Sequence, residues 1–589
     1  MIPSAASTPL LAAISKKNRH RALFVLALVP ALFLFGWINQ YAVNIPFGDE
    51  WAMIPLLTKS YGHQLAFWDL YAQHNEHRIV IPKLVFIAFA HLTGWNLLDE
   101  MFFSVALCVG TSAGIYVLLR RTLAAADSER VLLWGAANLL IFSPAQVENW
   151  LWGFSLQVFI PNFCLVMALV VLTSAYHWWL KFGAAVVLIA IATFSFGGGI
   201  LLWPLIAIFL LLRGEKKSHV AAWLLVFGIV AGVLFIGYQR RPSPQPTTGN
   251  WLDYPGYFFA FVGGALVRER EGPFLLTAIV TGALAVAIYG AIAAQLLKRR
   301  GEALANAAPW LALGLYVIAS AAVAAYSRVD WGPLQAIDSR YVTVSHNLYV
   351  ALIALAVIAT RGTDESGPSI FGASRVVART ALITTIVVLT LAGFPKGLRS
   401  MAFMQRDRLV GVGTLEFSDA IETNDAARSH LMMLPTVAPV PAQSIAELQR
   451  LHLLHYPIRA NPVLEDAEGR PMRSTSEFGQ TEGVAQRDSS NFEISGWSFL
   501  PEYGFPAPLV VLAYRKGDHW IAFALSEVGE IRRDVAARFH SRDYLESGWR
   551  KTFDRATVPV DAERISAWSL DPSSSEVYKL PGDYLLPKL

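Results

Sequence analysis

The sequence predicts a polytopic α-helical membrane protein that ends in a separate extracytoplasmic α+β or β-sandwich-like domain. Three observations carry this prediction. Of 589 residues, 54% are hydrophobic and 16% charged, with a mean hydropathy of +0.43, a balance foreign to a water-soluble globule. Apolar runs of roughly 15 to 25 residues, long enough to cross a bilayer, recur between residues 22 and 395. After residue 395 the hydropathy drops, and from Asn491 short alternating runs with turn signals take over, as strands do.

The spans are predicted at 22–43, 98–119, 130–143, 154–178, 183–196, 198–213, 219–238, 273–297, 305–326, 341–360 and 378–395, about eleven in all. Lys16, Lys17, Arg19 and Arg21 precede the first run and no small-residue cleavage site follows it, so it is predicted as an uncleaved first helix with a cytoplasmic N-terminus. Arg120, Arg121, Arg130, Arg213, Lys216, Lys217, Lys298, Arg299, Arg300 and the stretch 361–379 fall on the same side by the positive-inside rule. An odd number of spans then places the C-terminus outside. Counting 79–93 as a span would break this alternation, so it is predicted as interfacial, and 44–97 becomes the first outer loop. The aromatic stretch 254–267 is also predicted to lie in the interface. Gly197, Gly198 and Gly199 join two short spans, which calls for a tight turn or a close backbone approach, with ordinary helix packing as the alternative.

The predicted domains are therefore 1–395 in the membrane, 396–490 as a mixed connection and 491–589 as the β-domain. Trp497 and Trp568 are expected in the core of the last. The formal charge of +4 is modest and its basic residues sit in short loops, which argues against nucleic acid as a partner. The two cysteines, Cys108 and Cys164, lie within apolar runs as small buried hydrophobes, and no disulfide framework or zinc motif is present.

The chemistry is concentrated in the first outer loop. Asp49 and Glu50 are adjacent carboxylates just after the first span, where a carboxylate can take a proton from an acceptor hydroxyl; one of the two can equally cap the helix beginning near Trp51. Downstream stand His74, Glu76, His77 and Arg78, then Lys83. Arg78 and Lys83 are placed to pair with a lipid phosphate, with snorkelling to headgroups as the plainer role. The spacing of His74, Glu76 and His77 lacks the two-turn histidine pattern of a zinc site, so no permanent metal site is predicted, and only a weakly held divalent cation (Mg2+ or Mn2+) near Asp49 is left open. Later outer loops carry Arg268, Glu269, Arg270 and Glu271, then Arg328 with Asp330, and Asp338, Ser339 and Arg340; these cations either pair with the adjacent acids or bind an anion. Glu148, Asn149, Trp150 and Trp152 form a short outer loop whose tryptophans fit an interfacial belt, and Glu148 is given no catalytic role.

Asp49 and Glu50, then His77, Arg78, Ile79, Val80, Ile81, Pro82, Lys83 and Leu84, then Leu98, Asp99 and Glu100 leading to Arg120 and Arg121, give a layout that resembles the GT-C superfamily. These are polyprenyl-phosphate-sugar-dependent glycosyltransferases, and the branch concerned is that of the aminoarabinose and protein mannosyltransferases. The resemblance covers about residues 20–360 and rests on layout; the branch's usual Thr-Lys-Gly and Lys-Pro-Pro are absent. It implies a multi-pass protein of the bacterial inner membrane with a periplasmic C-terminal domain. The implied activity is inverting sugar transfer from a polyprenyl-phosphate donor to an extracytoplasmic glycan, lipid or protein. Asp49, and with it Glu50, would be catalytic, and Glu76, His77, Arg78, Lys83, Arg268, Arg270, Arg328 and Arg340 would bind substrate or phosphate. The β-domain is similar to modules attached to bacterial glycan-assembly proteins. A transporter or flippase for lipid-linked glycans would need charged or broken elements at mid-membrane depth, and a non-catalytic assembly scaffold would leave Asp49 dispensable.

Overall fold

A long apolar segment can sit in a bilayer only if each backbone N–H and C=O is bonded within the chain, and the α-helix achieves this locally. The computed structural model describes residues 16–239, 250–267, 274–361, 369–421, 429–431, 442–464, 478–501, 503–562 and 564–586. Among them, nine helices are long and apolar enough to cross a membrane, and Trp178–Thr193 and Gly197–Leu212 are shorter apolar helices. Together these fall on the predicted spans one for one. Val80–Thr93 has only 14 residues and Asp253–Gly263 only 11, too few to cross.

The chain divides into two compact units, Met1–Ala42 with Gln64–Met401, and Val43–His63 with Ala402–Leu589. In the first unit, the side chains of the connecting segments sort the helix ends into two sets. At one end Arg121 donates to the Val170 carbonyl at 2.5 Å, Arg213 to Ala305 at 3.1 Å and Arg299 to Ala359 at 2.9 Å, while Arg361 meets Glu129 at 2.5 Å. These are the basic loops expected on one side. At the opposite end Ile81 N donates to the Phe194 carbonyl, Glu76 meets Arg328, and Glu148 meets Ser339. Inside, Asn138 accepts from Ser112 Oγ at 2.6 Å and donates to the Ala27 carbonyl at 2.7 Å, and Asn347 donates to Asn162 at 2.6 Å. Such polar pairs tie helices together where lipid offers no hydrophobic drive. Both cysteines are free and buried.

In the second unit an eight-stranded antiparallel sheet runs β1 (Gly479–Gln486), β2 (Asn491–Ser498), β3 (Leu509–Lys516), β4 (His519–Glu530), β5 (Gly548–Asp554), β6 (Arg564–Asp571), β7 (Glu576–Lys579) and β8 (Tyr584–Leu585). Its order is β1-β2-β5-β4-β3-β6-β7, with β8 beside β6. β4 belongs to two halves: Leu525 pairs with Val511 of β3, whereas Val528 pairs with Trp549 of β5. The sheet folds on itself at that strand, so Phe492, Ile494, Trp549 and Phe553 pack against Val510, Leu512, Ile565 and Ala567, as the facing sheets of a sandwich do. The other face of β3 and β6 is buried too, with Val511, Trp520, Trp568 and Leu570 against Val410, Phe417 and Ile421. Trp497 and Trp568 are core residues. The boundaries expected at 395 and 491 differ from the structure. Helix Ser369–Glu416 runs through the first without interruption despite Pro395. β1 precedes the second; its polar, glycine-containing sequence, Gly-Gln-Thr-Glu-Gly-Val-Ala-Gln, carries no apolar alternation that could announce a strand.

Candidate functional site

In the first unit, residues 74–78 make a tight reversal. His74 and His77 exchange backbone hydrogen bonds of 2.8 and 2.9 Å, and Asn75 takes a left-handed φ of 50°, which asparagine tolerates better than most residues. The turn fits between two other loops. The His74 ring meets Phe154 at 5.2 Å and the His77 ring meets Phe196 at 4.7 Å. Gly197 is required here, because a Cβ on it would stand 2.4 Å from His77 Nδ1, and one on Gly199 would stand 2.1 Å from the Ala192 carbonyl oxygen. The expected close backbone approach is therefore present. His77 Nδ1 is shut off from solvent and has no hydrogen-bond partner among the described residues. Burial lowers the His77 pKa to about 4, Arg328 and His74 add to this, and Glu76 opposes it, so the ring is neutral at pH 7. Glu76 pairs with Arg328 at 3.8 Å, their side chains 49% and 32% exposed, a loose ion pair that a stronger anion can displace.

Arg78 and Lys83, expected at a lipid phosphate, are instead taken up by carbonyls. Both are buried. Arg78 donates from Nη1 to Tyr71 O at 2.6 Å, from Nε to Leu234 O at 2.8 Å and from Nη2 to Ile236 O at 2.5 Å, and its guanidinium lies 4.1 Å from the Tyr71 ring centroid. The Tyr71 hydroxyl donates to Val233 O. Lys83 Nζ donates to Asp69 O, Leu70 O and Ala72 O at 3.0, 3.1 and 2.7 Å. Burial, with Arg78 nearby adding to it and Asp69 opposing, lowers its pKa to about 8. A helix ends with carbonyls that lack intrahelical donors. These two cations close the C-termini of Lys217–Phe235 and Phe67–Tyr71, a role sequence spacing cannot show because the acceptors are backbone atoms up to 158 positions away.

Arg340 stands differently. It opens helix Ser339–Thr360, its Nη2 meets Asp338 at 2.8 Å, it lies 5.4 Å from the Tyr341 ring, and its buried Nε has no partner among the described residues. Tyr257 donates to Gln335 Oε1 at 3.1 Å and lies 3.3 Å from the Tyr341 hydroxyl. Arg340 and Tyr257 thus both meet Tyr341. The loop 143–155, given no chemistry from sequence, supports them. Thr343 Oγ1 donates to Gln146 Oε1 at 2.6 Å, and Asn149 Nδ2 donates to Arg340 O at 2.9 Å and Thr343 Oγ1 at 2.7 Å. Glu148 Oε2 accepts from Ser339 Oγ at 2.5 Å and Arg340 N at 3.0 Å. Trp150 and Trp152 are buried within the protein, Trp150 donating to Ser143 O at 2.8 Å, which corrects the expectation of an interfacial belt. The signal in the sequence was the density of Gln, Glu and Asn in one short loop between apolar helices. Arg268 and Arg270 lie outside the described residues.

In the second unit, Asp49 and Glu50 fall in the short helix Gly48–Met53 and separate in role. Glu50 is buried, and its Oε2 accepts from Phe47 N at 2.8 Å, which makes it the capping member of the pair. Asp49 is part-exposed. The helix is anchored by Trp51 Nε1 donating to Leu431 O at 3.2 Å and by Arg408 lying 4.4 Å from the Phe47 ring. Among the described residues no group of three or more His, Cys, Asp or Glu could hold a metal ion, and no step is assigned to one.

Fold and site define a polytopic membrane protein with a C-terminal antiparallel β-sheet domain. No family model matches the chain, and no curated protein matches it. Solved structures that align with it include archaeal oligosaccharyltransferase AglB from Archaeoglobus fulgidus, in complex with an inhibitory peptide and a dolichol-phosphate, at 15% identity and a TM-score of 0.39 over 72% of this chain and 61% of that one. The apo form of an oligosaccharyltransferase from the same organism aligns at 14% identity and a TM-score of 0.41 over 74% and 61%. ArnT from Cupriavidus metallidurans, in the apo state, aligns at 13% identity and a TM-score of 0.37 over 73% and 89%. This chain thus spans 61% of the length of the archaeal chains.

Proposed function

We propose that this protein is an integral membrane glycosyltransferase that moves a sugar from a polyprenyl-phosphate donor to an extracytoplasmic glycan, lipid or protein. The observation that carries the reading is the cluster at the start of Ser339–Thr360, where Arg340 and Tyr257 both meet Tyr341 and the buried Arg340 Nε lacks a partner among the described residues. A phosphate leaving group suits such a cluster, since guanidinium pairs with phosphate oxygens by charge-assisted hydrogen bonds. In the proposed reaction Asp49 takes the proton of the acceptor hydroxyl as its oxygen attacks the anomeric carbon. The bond from that carbon to the phosphate oxygen breaks, the electron pair leaves with the phosphate, and configuration inverts.

The test is the lipid and surface-glycan profile of cells lacking the gene and complemented with wild type or Asp49→Asn at matched membrane levels. D49N is expected to insert and fold, to restore no glycosylation and to let the lipid-linked sugar accumulate. Full restoration by D49N overturns the assignment of Asp49 as base and favours transport or scaffolding.

A further inference from the structure

The first turn of Ser339–Thr360 is held in an unusual way. A helix begins with amides that lack intrahelical acceptors, and an aspartate just before it ordinarily caps them. Asp338 occupies that position with an extended backbone, yet makes no side-chain capping bond. Its carboxylate meets the Arg340 guanidinium at 2.8 Å instead. The cap arrives from a loop far upstream: Glu148 Oε2 accepts from Arg340 N at 3.0 Å, across 192 positions of sequence, and from Ser339 Oγ at 2.5 Å. Glu148 N in turn donates to Ser339 Oγ at 3.2 Å. Gln146 and Asn149 on either side lock the same loop to Thr343. The two carboxylates therefore divide two tasks, one steering the guanidinium and the other fixing the backbone from which it springs.

We propose that Glu148 is the positioning residue for Arg340. Resting on the reading of Arg340 as a donor-phosphate residue, the inference adds that phosphate affinity at Arg340 is set by a hydrogen-bond acceptor at position 148, not by direct contact of Glu148 with the substrate. With the Arg340 amide taken by a carboxylate, which also offsets the partial charge of the helix N-terminus, that amide is closed to an anion. The guanidinium, held at Nη2 with its Nε unpartnered among the described residues, is the group left to bind it.

The test uses the purified full-length protein and farnesyl phosphate as probe, with farnesol as the phosphate-free control. R340Q and E148A are each expected to weaken binding of the phosphate about tenfold, the loss of one anchored charge or one cap, and to leave farnesol unchanged. E148Q, whose amide oxygen can accept both hydrogen bonds, is expected to stay within about threefold of wild type by the same argument. E148M, of similar volume without an acceptor, replaces E148A should the smaller residue fail to fold. If R340Q binds as wild type does, the phosphate reading itself fails. If R340Q weakens binding while E148A and E148M do not, the positioning role alone is overturned. If E148Q is as weak as E148M, the charge acts directly and the cap is refuted.

Discussion

Replacing Arg78 by glutamine separates a cap from a ligand-binding cation. The side chain is buried and makes hydrogen bonds of 2.6, 2.8 and 2.5 Å to the carbonyls of Tyr71, Leu234 and Ile236, besides its contact with the Tyr71 ring. Hydrogen bonds from a charged donor contribute about 1.5–3 kcal/mol each, and the cation–ring contact about 0.5–2 kcal/mol. Glutamine can keep one bond and water reaches part of the helix end, so the local loss is set at about 3–5 kcal/mol. At about 1.4 kcal/mol per tenfold change, this speeds local opening by at least two orders of magnitude. Hydrogen exchange of peptides spanning 230–239 in the full-length protein reads it directly. R78K should recover only part of the protection, because an ammonium cannot reproduce the planar fork. Unchanged exchange in R78Q together with weakened farnesyl phosphate binding would refute the cap and return Arg78 to the phosphate.

Three further outcomes follow from the packing and from the two displaced histidines. Gly263 and Gly282 let helices Asp253–Gly263 and Phe274–Arg299 touch, a Cβ on Gly282 lying 1.9 Å from Phe259 O; G282L should lower the thermal midpoint in detergent by forcing them apart, whereas G290L, with nothing within 4 Å, should not. The His77 pKa of about 4 is below its unfolded value near 6.5. Its contribution is thus complete above the unfolded value and lost as pH falls through about 4; H77F should flatten the acid side of the stability profile between those limits. His430 meets Asp407 at 2.6 Å and Glu527 at 3.0 Å, and these hydrogen bonds, against some burial, raise its pKa to about 10. That contribution is complete below the unfolded value and lost as pH rises through about 10, so exchange in 519–530 should accelerate over that window in wild type and be insensitive to it in H430Q.

Where the helices lie was legible in the sequence, because bilayer-length apolar runs and basic loops are local signals, and a span cannot satisfy its backbone any other way. The late strands β2, β3, β4 and β6 announced themselves by apolar runs. Only the tertiary structure decided what each polar side chain does. Arg78 and Lys83 look like phosphate ligands by charge and position, yet carbonyls brought from elsewhere in the chain claim them. Glu50 and Asp49 are indistinguishable as neighbours until Phe47 N takes one of them. Glu148, passed over in the sequence, gains its role only when a helix start 192 positions away is laid against it. Sequence fixes which groups are available and how far each can reach, but a hydrogen bond is settled by distances of a few tenths of an ångström, and those exist only once the chain is folded.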